Sequence, residues 1–311
     1  MRTRGDETMA DPKSPAGAQN SARRRRWGDR YDGRRLRAMD PMNIIIPYVM
    51  PSRTGAANSF HGRAFVREAE RYIRQKRVEG LKGFGMLHFF ISLYVRIVSQ
   101  RPGVNRFISG QRLFARHNIE IVLTVKKELS VSGQETTIKI TCLPADTAAD
   151  IHRRLAEALE EARRAGDSND VDNLARLLTK APGFALKGLV WLLKKLDYFG
   201  LMPKAFHRAS PFHASLFVTD LGSINLPPVH HHLYDFGNCP LFLAFGPKQK
   251  DFAVDQTGQV TMRRFLDYSL TLDERICDGF YFSAILRMVE DIFKRPEQLD
   301  TPPEAVTEDI D

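Results

Sequence analysis

The sequence predicts an α/β chain, because two kinds of apolar periodicity alternate along it. Ile119, Ile121, Leu123 and Val125 recur at every second residue, as in a strand with one buried face. Met86, Phe89, Phe90, Leu93, Tyr94 and Ile97 recur at helical spacing and make a wide apolar stripe. A third observation joins the two patterns. A period-2 run starting at Leu266 enters a tight polar turn, Asp273-Glu274-Arg275-Ile276-Cys277-Asp278-Gly279, and a helical pattern over 281–293 leaves it.

With 311 residues and 43% hydrophobic content, the chain is long enough to bury a sizeable core as one large domain or two modest ones. No window approaches the ~20 uninterrupted apolar residues that span a bilayer, and residues 1–20 lack the apolar core of a signal peptide. Cys142, Cys239 and Cys277 are widely spaced, which fits reduced thiols in a cytoplasm and gives no metal-ligand pairing. No bound metal is expected. The net charge of +9 is concentrated at the start, where residues 1–37 hold 11 Lys/Arg against 5 Asp/Glu. This basic leader, with Arg23 to Arg26 in a row, has few apolar residues to fold with, and residues 1–26 read as disordered. No nucleic-acid module accompanies it, so no specific nucleic-acid partner is expected.

Taken in order, 42–50 reads as a short extended segment cut by Pro47, and 51–57 as a loop. Residues 62–78 carry Phe65, Ala69, Tyr72 and Ile73 at helical spacing, and 84–98 form a second, more buried helix stopped by Arg101-Pro102-Gly103. Short strands follow at 112–115, 119–126 and 135–141. A helix over 146–164 has Asp146 or Thr147 as its cap. Residues 165–210 read as a helical insertion, with a polar linker, a short helix at 174–178 and a longer one at 184–201. The longer helix sets Trp191, Tyr198 and many Leu beside Lys187, Lys194 and Lys195, a composition suited to a membrane surface, a lid or a subunit contact. Residues 248–258 read as a hairpin turn, 259–272 as strand, and 301–311 as an acidic tail.

Several motifs resemble the chloramphenicol acetyltransferase-like superfamily, above all the catalytic domains of 2-oxo acid dehydrogenase dihydrolipoamide acyltransferases. The turn at 273–279 is similar to their Asp-His-Arg-x-x-Asp-Gly, with Glu274 at the His position. The run Phe217-Val218-Thr219-Asp220-Leu221-Gly222 resembles their Phe-Thr-Ile-Ser-Asn-Leu-Gly strand end, Asn238-Cys239-Pro240 their Asn-x-Pro, and Pro102 to Asn105 their Pro-x-x-Asn. The resemblance spans roughly 34–300. It implies an α/β two-layer fold with a mixed sheet and helices packed on one face, carrying the helical insertion. It also implies a domain over 27–300, a homotrimer with active sites between subunits, and a coenzyme A thioester as co-substrate. No lipoyl domain is recognisable, so the expectation is a stand-alone catalytic-like domain or one served by other chains.

In that family the His is the base that deprotonates an acyl-accepting thiol or hydroxyl, and a Ser or Thr hydroxyl stabilises the oxyanion. By register, Glu274 and Thr219 take these positions, while Asp278 and Gly279 order the turn. An imidazole exchanges protons near neutrality, whereas a carboxylate of ordinary pKa, about 4.3, is a poor base unless burial raises it. Three readings therefore stay open. Glu274 is a retuned base; or His231 or His232, in the run His230-His231-His232, supplies the missing imidazole; or the chain is a catalytically inactive scaffold or regulatory subunit of an acyltransferase or lipid-handling complex. The expected location is cytoplasmic, with membrane association through 184–201 as the alternative to packing as a lid or subunit contact.

Overall fold

The computed structural model describes residues 25–126, 135–165, 182–254 and 257–311. The elements run β1 (Gly33–Arg35), α1 (Pro41–Val49), β2 (Ala57–Phe65), α2 (Arg67–Val78), α3 (Met86–Gln100), β3 (Arg106–Ser109), β4 (Arg112–Arg116), β5 (Ile119–Lys126), β6 (Glu135–Cys142) and α4 (Ala148–Ala165). They continue with α5 (Gly183–Tyr198), α6 (Lys204–Ala209), β7 (Leu216–Asp220), β8 (Leu241–Val254), β9 (Val260–Asp273) and α7 (Gly279–Lys294).

Six strands form the main sheet in the order β2-β9-β8-β7-β5-β6. β7 runs parallel to both β5 and β8, and the remaining pairs are antiparallel, so the sheet is mixed as expected. One face carries Ile121, Ile140, Val218, Leu243, Leu266 and Leu272, which pack with Phe89, Phe90 and Ile97 of α3 and with Phe282, Ile285 and Phe293 of α7. Full burial of each such side chain contributes about 1.5–3 kcal/mol, which makes this face the principal source of stability. The opposite face is covered by chain without regular structure. There Val122, Phe217 and Phe242 pack with Leu233 and Cys239. A small sheet, β1-β4-β3, flanks the main one.

Local chemistry explains the helix ends. Thr147 caps α4 through its Oγ1, which accepts from Asp150 N at 3.3 Å, while the Asp150 carboxylate accepts from Thr147 N at 3.1 Å. Residues 301–311 lie against the body. Arg106 donates through Nε to Asp309 at 2.8 Å, and Thr307 N donates to Ser99 O at 2.8 Å.

Three stretches differ from the sequence expectation. Residues 41–49 are helical and not extended. Asp40 accepts from Met42 N at 2.9 Å and Pro41 sits in the first turn, a start signal that overrides the β-branched Ile44-Ile45-Ile46. Residues 57–65 form the edge strand β2, so the helix expected from 62 begins only at Arg67. β8 continues to Val254 through a register shift between Phe245 and Lys248, leaving a much shorter turn than 248–258. Of the expected disordered leader at 1–26, residues 1–24 lie outside the described residues, as does the short helix at 174–178, while Arg25 and Arg26 bond to Asp29. No helix among the described residues is long and apolar enough to cross a membrane.

Candidate functional site

The polar turn after β9 is built around a buried fork. Arg275 donates through Nε and Nη2 to the two oxygens of Asp273, both at 2.7 Å, and through Nη1 to Met50 O at 2.7 Å. Asp273 is fully buried and Arg275 is 4% exposed. Arg53 comes from the loop after α1, with Nε 3.6 Å from Asp273 Oδ2. Burial pulls the Arg53 guanidinium below its usual value, and the Asp273 charge opposes that shift. Glu274 N donates to Ala56 O at 2.9 Å, which pins the turn to the edge strand β2.

Glu274 itself is half-buried, and its carboxylate accepts from Asn58 Nδ2. Asp278 caps α7 by accepting from Tyr281 N at 2.7 Å. Burial pushes the neighbouring Cys277 thiol up to about 12, so it stays protonated at neutral pH.

Thr219 lies half-buried on β7. Strand register sets Thr219, Ala244, Ser269 and His61 in one row across four strands. The glycine that ends this motif is fixed by close packing, since a Cβ on Gly222 would come within 2.7 Å of Gly246 O. Thr219 and Glu274 do not meet within one copy of the chain. Glu274 is five residues beyond Ser269 and two strands over from Thr219, so the two are separated by about 20 Å. They also belong to opposite faces. Asn58, the partner of Glu274, is registered with Leu272 of the helix-side core, whereas the Thr219 row lies beneath the irregular segment on the other face.

That segment carries the three histidines, and the structure separates their surroundings. His230 is exposed, with Nδ1 2.9 Å from Ser269 Oγ and its ring 5.5 Å from that of His61. His231 stacks on Phe242 at 3.7 Å and donates from Nδ1 to His232 O at 2.8 Å, and burial lowers its pKa. His232 is exposed and stacks on His231 at 4.7 Å. Among the described residues no three His, Cys, Asp or Glu side chains are grouped to hold a metal.

A cleft of about 410 Å³ opens beside the turn, lined by Arg53, Arg275, Ser109, Lys194, Tyr198 and Asp235 among others. Behind it lies a buried polar network that pattern reading missed. Arg30 donates through Nε to Asp32 at 2.8 Å and through Nη2 to Asp197 at 2.8 Å. Asn238 donates to Asp32 at 3.1 Å and accepts from Arg116 at 2.8 Å, which gives the Asn-Cys-Pro motif a structural role. Burial alone would raise the Asp32 and Asp197 carboxyls. Contacts with His207 and Arg30 hold Asp32 far below the ordinary range, and His213 and Arg30 bring Asp197 down to about 2. Asp32 and Asn238 are 206 residues apart, and no periodicity links them.

No protein-family model matches the sequence, and no curated protein matches it significantly. Solved structures do. A probable dihydrolipoamide acetyltransferase from Listeria monocytogenes 4b F2365 has a TM-score of 0.52 at 13% identity, covering 85% of this chain and 95% of that one. The dihydrolipoamide acetyltransferase of Azotobacter vinelandii has a TM-score of 0.51 at 15% identity, covering 93% and 99%. A truncated catalytic core of the 2-oxoacid dehydrogenase multienzyme complex from Thermoplasma acidophilum has a TM-score of 0.51 at 12% identity, covering 85% and 99%. At such identities the likeness concerns architecture alone: this chain has the two-layer mixed-sheet fold of dihydrolipoamide acyltransferase catalytic cores.

Proposed function

We propose that the protein transfers an acyl group from a coenzyme A thioester to a thiol or hydroxyl acceptor, in a site assembled between copies of the chain. The observation that carries this reading is the fixed turn. A buried Asp273–Arg275 fork on one side of Glu274 and the Asp278 cap on the other present its carboxylate at a defined strand end. Because Thr219 lies on the other face and far from Glu274 in one copy, a site using both draws them from two copies. Two exposed groups of apolar side chains support such an assembly: Ile44, Ile45, Tyr48 and Val49 on α1, and Phe252, Val254, Val260 and Met262 on the β8–β9 hairpin. A homotrimer, as the resemblance implies, is the arrangement adopted here.

In this mechanism Glu274 takes the acceptor proton while the acceptor atom attacks the thioester carbonyl. The Thr219 hydroxyl donates to the resulting oxyanion. Collapse breaks the carbon–sulfur bond, and the coenzyme A thiolate leaves with the proton returned from Glu274. The cleft lined by Arg53, Lys194 and Arg275 adjoins the turn and offers space for one of the substrates.

A second reading has its own observation. The Glu274 carboxylate already accepts from Asn58, which is the state of a structural carboxylate in an inactive scaffold.

Complementation separates the two. Glu274→Gln lowers acyl-coenzyme A consumption by about 10²–10⁴, and Thr219→Ala by about 10²–10³. Co-assembling the two variants regenerates intact sites and restores a fraction of wild-type turnover. Absence of turnover and of calorimetric coenzyme A binding by the wild type overturns the enzyme reading. Loss in the single variants without recovery on mixing overturns the shared site.

A further inference from the structure

We propose that α5 is an interfacial anchor that seats the protein on the surface of an anionic lipid bilayer. This docking stands apart from the acyl-transfer reading and holds whether or not the chain turns over substrate. α5 is apolar around most of its circumference, yet from Gly183 to Val190 only Leu189 is better than exposed. Phe184 is 81% exposed and Trp191 61% exposed, with Leu186 and Leu192 also facing solvent. The helix is held to the body by its last turn. Asp197 accepts from Arg30 at 2.8 Å, and Tyr198 Oη donates to Gln111 Oε1 at 3.0 Å. A 16-residue helix, about 24 Å long, thus extends from one attached end with most of its apolar surface uncovered by the described residues.

Charge selects the occupant. Between residues 183 and 209 the charged side chains are Lys187, Lys194, Lys195, Lys204 and Arg208, against the single acid Asp197, which is buried and paired with Arg30. Every exposed charge on the segment is therefore positive. Lys187 and Lys194, two turns apart, lie on one stripe beside Trp191, whose ring has Lys195 Nζ at 5.8 Å. An apolar surface with Trp and Phe, bordered by lysines, matches the boundary between acyl chains and anionic headgroups. A second copy of α5 is a poor occupant, because a symmetric contact sets the same lysines against each other. α5 lies in the plane of the bilayer and does not cross it, being too short and too charged.

Flotation of the full chain with vesicles of phosphatidylcholine, with and without phosphatidylserine, tests the proposal. The wild type floats with the phosphatidylserine vesicles and binds less at high salt. Lys187→Gln with Lys195→Gln weakens that binding by about 25-fold, on the basis of about fivefold per lysine. Trp191→Glu with Leu192→Glu abolishes it. In a Trp27→Phe background, Trp191 emission moves to the blue only with anionic vesicles. Since the substituted side chains are exposed, unchanged thermal melting confirms that the variants are folded. No flotation of the wild type, or equal flotation of wild type and both double variants, overturns the proposal. It also fails if the wild type is an oligomer that Trp191→Glu with Leu192→Glu converts to a smaller species without any lipid binding, because α5 is then a subunit contact.

Discussion

Asp273 and Arg275, two residues apart in sequence, meet through two parallel 2.7 Å contacts, with the carboxylate fully buried and the guanidinium almost so. Removing one partner strands the other as an uncompensated buried charge. Arg275→Met should therefore destabilise the protein by roughly 3–5 kcal/mol, whereas Asp273→Leu combined with Arg275→Met should recover most of that loss. Urea unfolding measures both. An Arg275→Met protein as stable as wild type would show that Arg53 alone satisfies Asp273.

Single substitutions should separate Glu274 from the histidine run as the source of a base. Glu274→Gln should cost about 10²–10⁴ in kcat if Glu274 is the base. His232→Ala should leave rate and stability nearly unchanged, since His232 is exposed. His231→Ala should lower the melting temperature, because its ring stacks on Phe242, with little effect on kcat. If His230→Ala carries the rate loss while Glu274→Gln is mild, the base lies beside Ser269 and not on the turn.

Acid should loosen the attachment of α5. Asp197 has a folded pKa of about 2, below its ordinary value, so its stabilisation is present above about pH 4 and is lost as pH falls toward 2. The difference corresponds to about 2 kcal/mol. Asp197→Asn should flatten the acid limb of the stability profile and lower stability at neutral pH. Denaturant titrations between pH 5 and pH 2 read this out, and identical profiles for the two proteins would refute it.

Cys277 and Cys142 should resist alkylation while the protein is folded, since burial holds each thiol up at about 12. Mass spectrometry after iodoacetamide treatment should find both unmodified in buffer and labelled in denaturant. Rapid labelling of Cys277 in the folded protein would refute this burial.

Elements were legible in the sequence where one face is buried and the other is wet. β5 ends where its alternation predicts, and β6 and α3 lie within one or two residues of their expected bounds. β2 was illegible for the complementary reason. As an edge strand it buries only Ala64, so its residues carry no period-2 contrast. α1 was misread because three isoleucines outweighed the cap that decides its conformation. The turn at 273–279 showed where the site would be, but not that Thr219 lies on the other face. That fact depends on the register of three strand pairs, which no local pattern encodes. The histidine run was visible as composition only. Which ring meets Ser269 and which meets Phe242 is set by tertiary contacts in a segment without regular structure.

Ser59 on β2 and Thr271 on β9 touch through their hydroxyls across 212 residues of chain. β9 is the strand that β2 pairs with, so during synthesis β2 leaves the ribosome roughly 10–40 s before that partner exists. Throughout that interval its backbone groups have no ladder to join, and Phe60 waits for Phe282, which emerges later still. Closure of this edge is a late, long-range event with a large loop-entropy penalty. Translation pace and holdase chaperones should accordingly govern how much of this polypeptide reaches its native form. Changes that slow synthesis near residue 275, or shorten the chain before it, should lead to aggregation even where the finished domain is stable.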